Sequence, residues 1–248
     1  MIIAEIGLNH LGDKEYAVDY VERLLSTSVD AITFQVREAS FYQRKEKKSL
    51  ELPIEFYKDI SLVIKNAGKK FGVALCNTDL FDYFDKFVDF YKILSKDLGN
   101  DSFINIINNT DKKIFLSTGL SSFDQIKSFT DRIDNEKRSN TSLIHTQLSN
   151  LITDVNLKAI NSMKENFEFP ISFGNHCENP KVIYLSLSFE PHSIFIYVKG
   201  DLDIVYPDEK HAVCLKDLTS LVDDINELRL AVGKGVKNKM YNKIKGQK

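Results

Sequence analysis

Cysteine is scarce. The three present among 248 residues, Cys76, Cys177 and Cys214, are too widely spaced for a zinc or disulfide framework. That scarcity fits a reducing cytoplasm, the expected location. No segment approaches the roughly 18 continuous apolar residues of a membrane span. MIIAEIGLNH has no basic region before its apolar run, and Glu5 interrupts that run, so it is not a signal peptide. An excess of one charge is also missing: Lys and Arg total 33 against 35 Asp and Glu, a net −2. This argues against a nucleic-acid partner and against a membrane surface. The basic stretch from 233 to 248, GKGVKNKMYNKIKGQK, reads as a solvated terminus. There is no low-complexity segment, no sequence repeat, and no G-x-G-x-x-G after the first apolar run, which disfavours a doubly wound dinucleotide fold.

What is present is an alternation. IIAEIG precedes a helical pattern from Lys14 to Leu25, and DAITFQV precedes LPIEFYKDISLVIKNAGKK. FGVALCN, FYKILS, KIFLSTG, SLIHTQ, PISFGNH and SIFIYVKG follow, each with its own amphipathic stretch, the last from about Leu215 to Val232. The strand-like runs are nearly continuously apolar, as expected when both faces are covered, and the helical stretches between them are the crossovers of a parallel sheet. Eight such units in this length predict an α/β fold of the (β/α)8 barrel type, one domain spanning 1–248. A doubly wound open sheet is the alternative.

In such barrels chemistry gathers at the C-terminal ends of the strands. Here those ends carry Glu5, Asn9 and His10; Gln35 and Arg37; Asn77 and Thr78; Lys92, Ser95, Lys96 and Asp97; Ser117 and Thr118; His145 and Gln147; Asn175 and His176; Lys199 and Asp201. Singly, each has an ordinary explanation: Lys92 as a snorkelling lysine, Ser117 and Thr118 as turn caps. As a ring they point to a small, polar, anionic ligand.

AEIGLNHLGD, ITFQVRE, FGVALCNTDLFD, YKILSKD, LSTGLSS, LIHTQLS and GNHCENP, in this order, resemble the sialic acid synthase family. The resemblance runs from Ile2 to about Val232. It implies condensation of phosphoenolpyruvate with an N-acetylated amino-sugar aldehyde to give a nonulosonic acid for a surface polysaccharide, with release of phosphate. By the same resemblance Glu5 and Asp97 lie at the reacting groups. Thr78, Lys92, Ser95 and Ser117 hold phosphoenolpyruvate, and Asp208 contacts the amino sugar. Gln35, Gln147 and Asn175 complete the substrate-binding set. A divalent metal, Mn or Mg, is implied, with His176 as its first ligand.

The departures from the pattern are specific. The second metal-binding histidine of strand eight is replaced by Val198 or Lys199, neither of which offers a neutral imidazole. This argues against the metal. His10 and His145 are the strand-end imidazoles left to try, with His10 as the candidate ligand, and Lys199 is a candidate catalytic cation in the metal's place. The strand-two lysine is Thr33, and Arg37, of the same strand parity, would set a cation one layer above it. The family's C-terminal antifreeze-like domain, which supplies an arginine to the partner subunit, does not follow before Lys248. A homodimer or a separate chain carrying that domain would be the partner. Two other readings stay open: a non-catalytic member that binds an acidic or phosphorylated sugar or supports a partner enzyme, and a different barrel lyase or aldolase, with Lys92 as its Schiff-base candidate.

Overall fold

The computed structural model describes residues 1–237, so most of the basic terminal stretch lies outside the described residues. The elements, in chain order, are β1 (Ile2–Gly7), α1 (Lys14–Leu25), β2 (Ala31–Val36), α2 (Ala39–Tyr42), α3 (Ile54–Asn66), β3 (Lys70–Leu75), α4 (Phe81–Phe84), β4 (Phe90–Ile93) and α5 (Asp101–Asn109). There follow β5 (Lys113–Ser117), α6 (Phe123–Thr130), α7 (Asn135–Arg138), β6 (Thr141–His145), α8 (Ala159–Asn166), β7 (Ile171–Gly174), α9 (Lys181–Ser186), β8 (Ile194–Lys199), β9 (Val213–Cys214) and α10 (Leu215–Val232). Strands β1 to β8 pair in parallel, each with the next, and β8 returns to β1. The sheet is a closed (β/α)8 barrel, as the eight alternating units predict.

The apolar runs divide by parity. Ile3, Ala31, Phe90, Phe115, Ile144 and Phe195 form a separate interior cluster, the floor of the barrel. Their strand neighbours Ile2, Ala4, Ile32, Phe34, Ile114, Leu143, Ile194 and Ile196 belong to the large outer core against the helices. Both faces of each strand are therefore buried, which is why the runs show little polar alternation. Counting two residues along from the floor gives Glu5, Thr33, Lys92, Ser117 and Tyr197: the inward layer at the C-terminal end is polar.

Local signals set the helix starts. Asp13 accepts the Tyr16 N–H at the start of α1, and Ser122 and Gln125 form a reciprocal capping box on α6. The short β9 pairs with β8 through Val198 and Lys199 and ties down the turn that follows the last barrel strand. Among the described residues, no helix is long and apolar enough to cross a membrane.

Candidate active site

Glu5, Lys92 and Tyr197 meet one layer above the aromatic floor. Glu5 and Tyr197 are register partners across the closing β1–β8 pair. Lys92 reaches to both from β4: its ammonium donates to the Glu5 carboxylate and, at 2.9 Å, to the Tyr197 hydroxyl. The same ammonium lies 4.9 Å from the Phe195 ring centroid and 4.7 Å from that of Tyr197. The Lys92 and Glu5 side chains are only 4% and 2% exposed. Burial pulls the lysine pKa down, but the Glu5 carboxylate and the Tyr197 hydroxyl outweigh it and hold Lys92 above its ordinary value. Burial likewise keeps the Tyr197 phenol protonated. Accepting from Lys92, that hydroxyl retains its own proton to donate.

Ser95 and Ser117 stand together beside this group, their hydroxyls 2.8 Å apart. The Gly119 N–H donates to the Ser95 hydroxyl at 2.9 Å. A side chain at Gly119 would meet Thr146 Cγ2 at 2.8 Å and Ser95 Oγ at 3.1 Å, so glycine is what lets this backbone N–H approach. With the N–H spent on Ser95 and one hydroxyl proton shared between the serines, the pair keeps one hydroxyl donor for an anionic oxygen.

An imidazole pair packs against Tyr197. His176 follows β7, and His211 sits in the turn between β8 and β9. Their ring centroids are 4.4 Å apart at an interplanar angle of 28°. Both meet the Tyr197 ring edge-on, at 4.8 Å and 4.6 Å. Burial, then the neighbouring charges, lowers His176 to about 2 and His211 to about 4, so both rings are neutral. The buried Nε2 of His211 has no hydrogen-bond partner and lies 3.7 Å from Asp208 Oδ1. Burial, reinforced by Glu5, raises Asp208 to about 7.

Asn9, from the GLNH motif, positions this turn. Its Nδ2 donates to the Val198 carbonyl at 2.7 Å, and its Oδ1 accepts the Asp208 N–H at 3.1 Å. Gly7 has a positive φ of 58°, and a Cβ there would meet Asp208 Oδ2 at 3.0 Å. The motif thus supplies Glu5 to the interior and, through Gly7 and Asn9, seats Asp208 beside it.

Other predicted residues lie farther out or are committed elsewhere. Gln35 and Thr78 are half-buried at the ends of β2 and β3. Arg37 corrects the expectation of an inward cation: it pairs with Glu38 at 3.1 Å and stacks on Phe41 at 4.0 Å. Glu38 is 3.6 Å from Lys96, whose ammonium donates to Asp97 at 2.7 Å, and the second oxygen of Asp97 is buried without a partner. Lys199 pairs with Glu209, so its charge is neutralised in the turn after β8. His10 is not beside His176: it packs at 5.9 Å from Phe34, in the outer core, and its Nδ1 accepts the Gly12 N–H. His145 likewise hydrogen-bonds the Val155 carbonyl at 2.9 Å. Asn175 closes a local turn with Cys177, while Gln147 and His176 line a narrow cleft beside it.

Sequence reading missed Tyr197, His211 and the positioning role of Asn9. Tyr197 shares strand parity with Phe195, a signal available in the sequence. His211 had none, because only the folded turn brings it to His176. Among the described residues, no group of three or more His, Cys, Asp or Glu is placed to hold a metal ion. The adjacent neutral imidazoles of His176 and His211 supply two nitrogen donors, one fewer than the three protein ligands usual at a catalytic zinc.

The chain is 25% identical to an N,N'-diacetyllegionaminic acid synthase of Campylobacter jejuni over 96% of its own length and 78% of that protein's. It is 22% identical to a pseudaminic acid synthase of the same species, over 94% and 75%. Its fold matches the crystal structure of an N-acetylneuraminic acid synthetase from Leptospira borgpetersenii in complex with citrate. The TM-score is 0.87 at 24% identity, covering 98% of this chain and 89% of the other. The description of the NeuB family fits residues 18–237, and with a closed barrel that gathers Glu5, Lys92 and the two serines at one rim, the chain belongs to the NeuB family.

Proposed function

We propose that this barrel mouth condenses phosphoenolpyruvate with the open-chain aldehyde of an N-acetylated amino sugar. The carbon–carbon bond forms between C3 of the enol and the aldehyde carbon, and the aldehyde oxygen takes up a proton. Water adds at C2, and the C–O bond to phosphate breaks. The products are a nonulosonic acid and inorganic phosphate.

The observation that carries this reading is the buried Glu5–Lys92–Tyr197 group beside the Ser95–Ser117–Gly119 nest. Lys92 and the nest supply a fixed cation and a hydroxyl donor for the phosphate and carboxylate of the enol. The Tyr197 hydroxyl, charged up by Lys92, donates to the oxygen that becomes an alkoxide; a positioned acid contributes about 10²–10⁴-fold. Glu5 orients the attacking water. Asp208 and Asp97 are the carboxylates assigned to the sugar. A divalent ion held beside Tyr197 would supply Lewis-acid polarisation of the aldehyde oxygen.

The test is phosphate release from phosphoenolpyruvate across a panel of N-acetylated amino sugars, with added Mn²⁺ and with EDTA. Sugar-dependent release that Lys92→Met abolishes is expected. Absence of release with every sugar in both conditions overturns the proposal. One observation favours a binding-only member instead: the charge of Lys92 is already matched by Glu5. Retention of an acidic sugar with no turnover of the panel is the outcome that reading expects.

A further inference from the structure

We propose that Thr146 is a binding residue of the barrel mouth, its hydroxyl donating to an anionic oxygen of phosphoenolpyruvate beside the serine pair. Thr146 follows β6 directly and stands two residues beyond Ile144 of the interior floor. By that parity it continues the inward polar layer of Glu5, Lys92, Ser117 and Tyr197. Ser117 is the register partner of Ile144 across the β5–β6 pair, and Phe173 that of His145 across β6–β7. Thr146 is therefore flanked by the residues that follow Ser117 and Phe173. A Cβ built on Gly119 would meet Thr146 Cγ2 at 2.8 Å and Ser95 Oγ at 3.1 Å. One built on Gly174 would meet Thr146 Oγ1 at 3.6 Å. The side chain stands between two glycines, its methyl group toward Gly119 and its hydroxyl toward Gly174, which puts no side chain over it.

This hydroxyl differs from its neighbours in being buried without a partner. Thr146 is 3% exposed, and its Oγ1 makes no hydrogen bond. The other donors gathered here are committed. Thr118 Oγ1 donates to the Ile144 carbonyl at 2.9 Å, Ser95 and Ser117 share one hydrogen bond, and the Gly119 N–H goes to Ser95. A buried hydroxyl left unpaired carries a desolvation cost that a valine of the same shape would not. A ligand oxygen reaching it offsets that cost, and most strongly if the oxygen is ionised, because hydrogen bonds to charged acceptors are roughly twice as strong as neutral ones. With the one hydroxyl proton that the serine pair keeps, Thr146 gives the anion two donors on the β5–β6 side of the mouth.

The identity of the ligand rests on the synthase reading, and the test separates the two. Phosphoenolpyruvate alone is titrated into the full chain by calorimetry, for wild type, Thr146→Val and Thr146→Ser, and each protein is unfolded in urea. Thr146→Val is expected to weaken binding by about tenfold or more, and Thr146→Ser to restore it. The urea midpoint of Thr146→Val is expected to stay level or rise, since the variant removes an unpaired buried polar atom. A hydroxyl with a merely structural role predicts the reverse: a lower midpoint and unchanged binding. Equal binding by wild type and Thr146→Val, a fall in the midpoint of that variant, or a loss of binding that serine does not restore overturns the proposal. Binding that needs the Thr146 hydroxyl, with no phosphate release from any sugar, overturns the synthase reading alone. Sugar-dependent release with an unchanged KM for phosphoenolpyruvate in Thr146→Val overturns the role of Thr146 alone, and a wild type that binds no phosphoenolpyruvate overturns both.

Discussion

Removing either member of the Glu5–Lys92 pair should cost far more than removing both. The side chains are 2% and 4% exposed, so neither can recruit water when its partner is lost. Breaking a buried ion pair from one side typically costs about 3–5 kcal/mol. In Glu5→Gln, Lys92 keeps the Tyr197 hydroxyl at 2.9 Å and the faces of Phe195 and Tyr197. Those contacts offset about 1 kcal/mol, leaving an expected loss of about 2–4 kcal/mol. In Lys92→Met the stranded carboxyl can take up a proton instead. Burial raises the Glu5 pKa above the unfolded value near 4.5, so protonation favours the folded state. The stability of this variant is therefore greatest below that value and falls as pH rises, by up to about 1.4 kcal/mol per unit. The double variant Glu5→Gln/Lys92→Met should lie within about 1 kcal/mol of wild type, giving a coupling energy of at least about 2 kcal/mol. Urea unfolding of all four proteins at pH 6 and 8 measures this cycle. Additivity within about 0.5 kcal/mol would refute the reasoning, because it would mean the two charges do not depend on each other.

Four further outcomes are expected. The ring of His10 is buried and its pKa is lowered to about 3, so the unfolded chain binds a proton from about pH 6.5 downward while the folded chain does not; stability falls as pH drops through that window, and His10→Gln flattens the slope in unfolding series between pH 7 and 5. Ser95→Ala and Ser117→Ala should each raise KM for phosphoenolpyruvate by about 10-fold, and the double variant should do less than the product, since the two hydroxyls share one hydrogen bond at 2.8 Å. Tyr197→Phe should lower kcat by about 10²-fold with little change in that KM, while losing only about 1 kcal/mol of stability. Asn9→Ala should speed amide hydrogen exchange across 206–212 and leave β4 protected, because Asn9 bonds the turn and not the Glu5–Lys92 pair.

The fold was legible because parity and period survive substitution. IIAEIG, FYKI and SIFIYVKG each show where a strand begins, and α1 and α10 keep the bounds their periodicity predicts. The inward polar layer was legible for the same reason: Glu5, Lys92 and Ser117 stand two residues beyond Ile3, Phe90 and Phe115. Three-dimensional partnership was not. Nothing local says that Arg37 turns to Glu38 and Phe41, or that Lys199 folds back on Glu209, since a long cationic side chain takes whichever carboxylate the loop brings within reach. His10 misled because it follows directly after the inward-facing part of β1. The chain kinks at Gly7, whose positive φ sends the following residues out of the interior and the His10 ring into the outer core.

Barrel closure and site assembly are one event in this chain. Glu5 and Tyr197 are side by side only because β1 pairs with β8, the contact that turns an open sheet into a barrel. Lys92 projects from β4 and finds both groups only across the finished interior. Before closure its ammonium can remain in water; after closure it has no solvent and depends wholly on those two partners. The charged centre therefore opposes closure unless the register is correct, because a one-residue slip of β8 would turn Tyr197 outward and bring an apolar side chain inward. The same residues that offer a fixed cation and an acid to a ligand thus also discriminate the right pairing of first and last strands from its neighbours. Register errors at that seam carry the cost of an incompletely partnered buried charge, and the aromatic floor of Phe90, Phe115 and Phe195 beneath offers it no carboxylate in exchange.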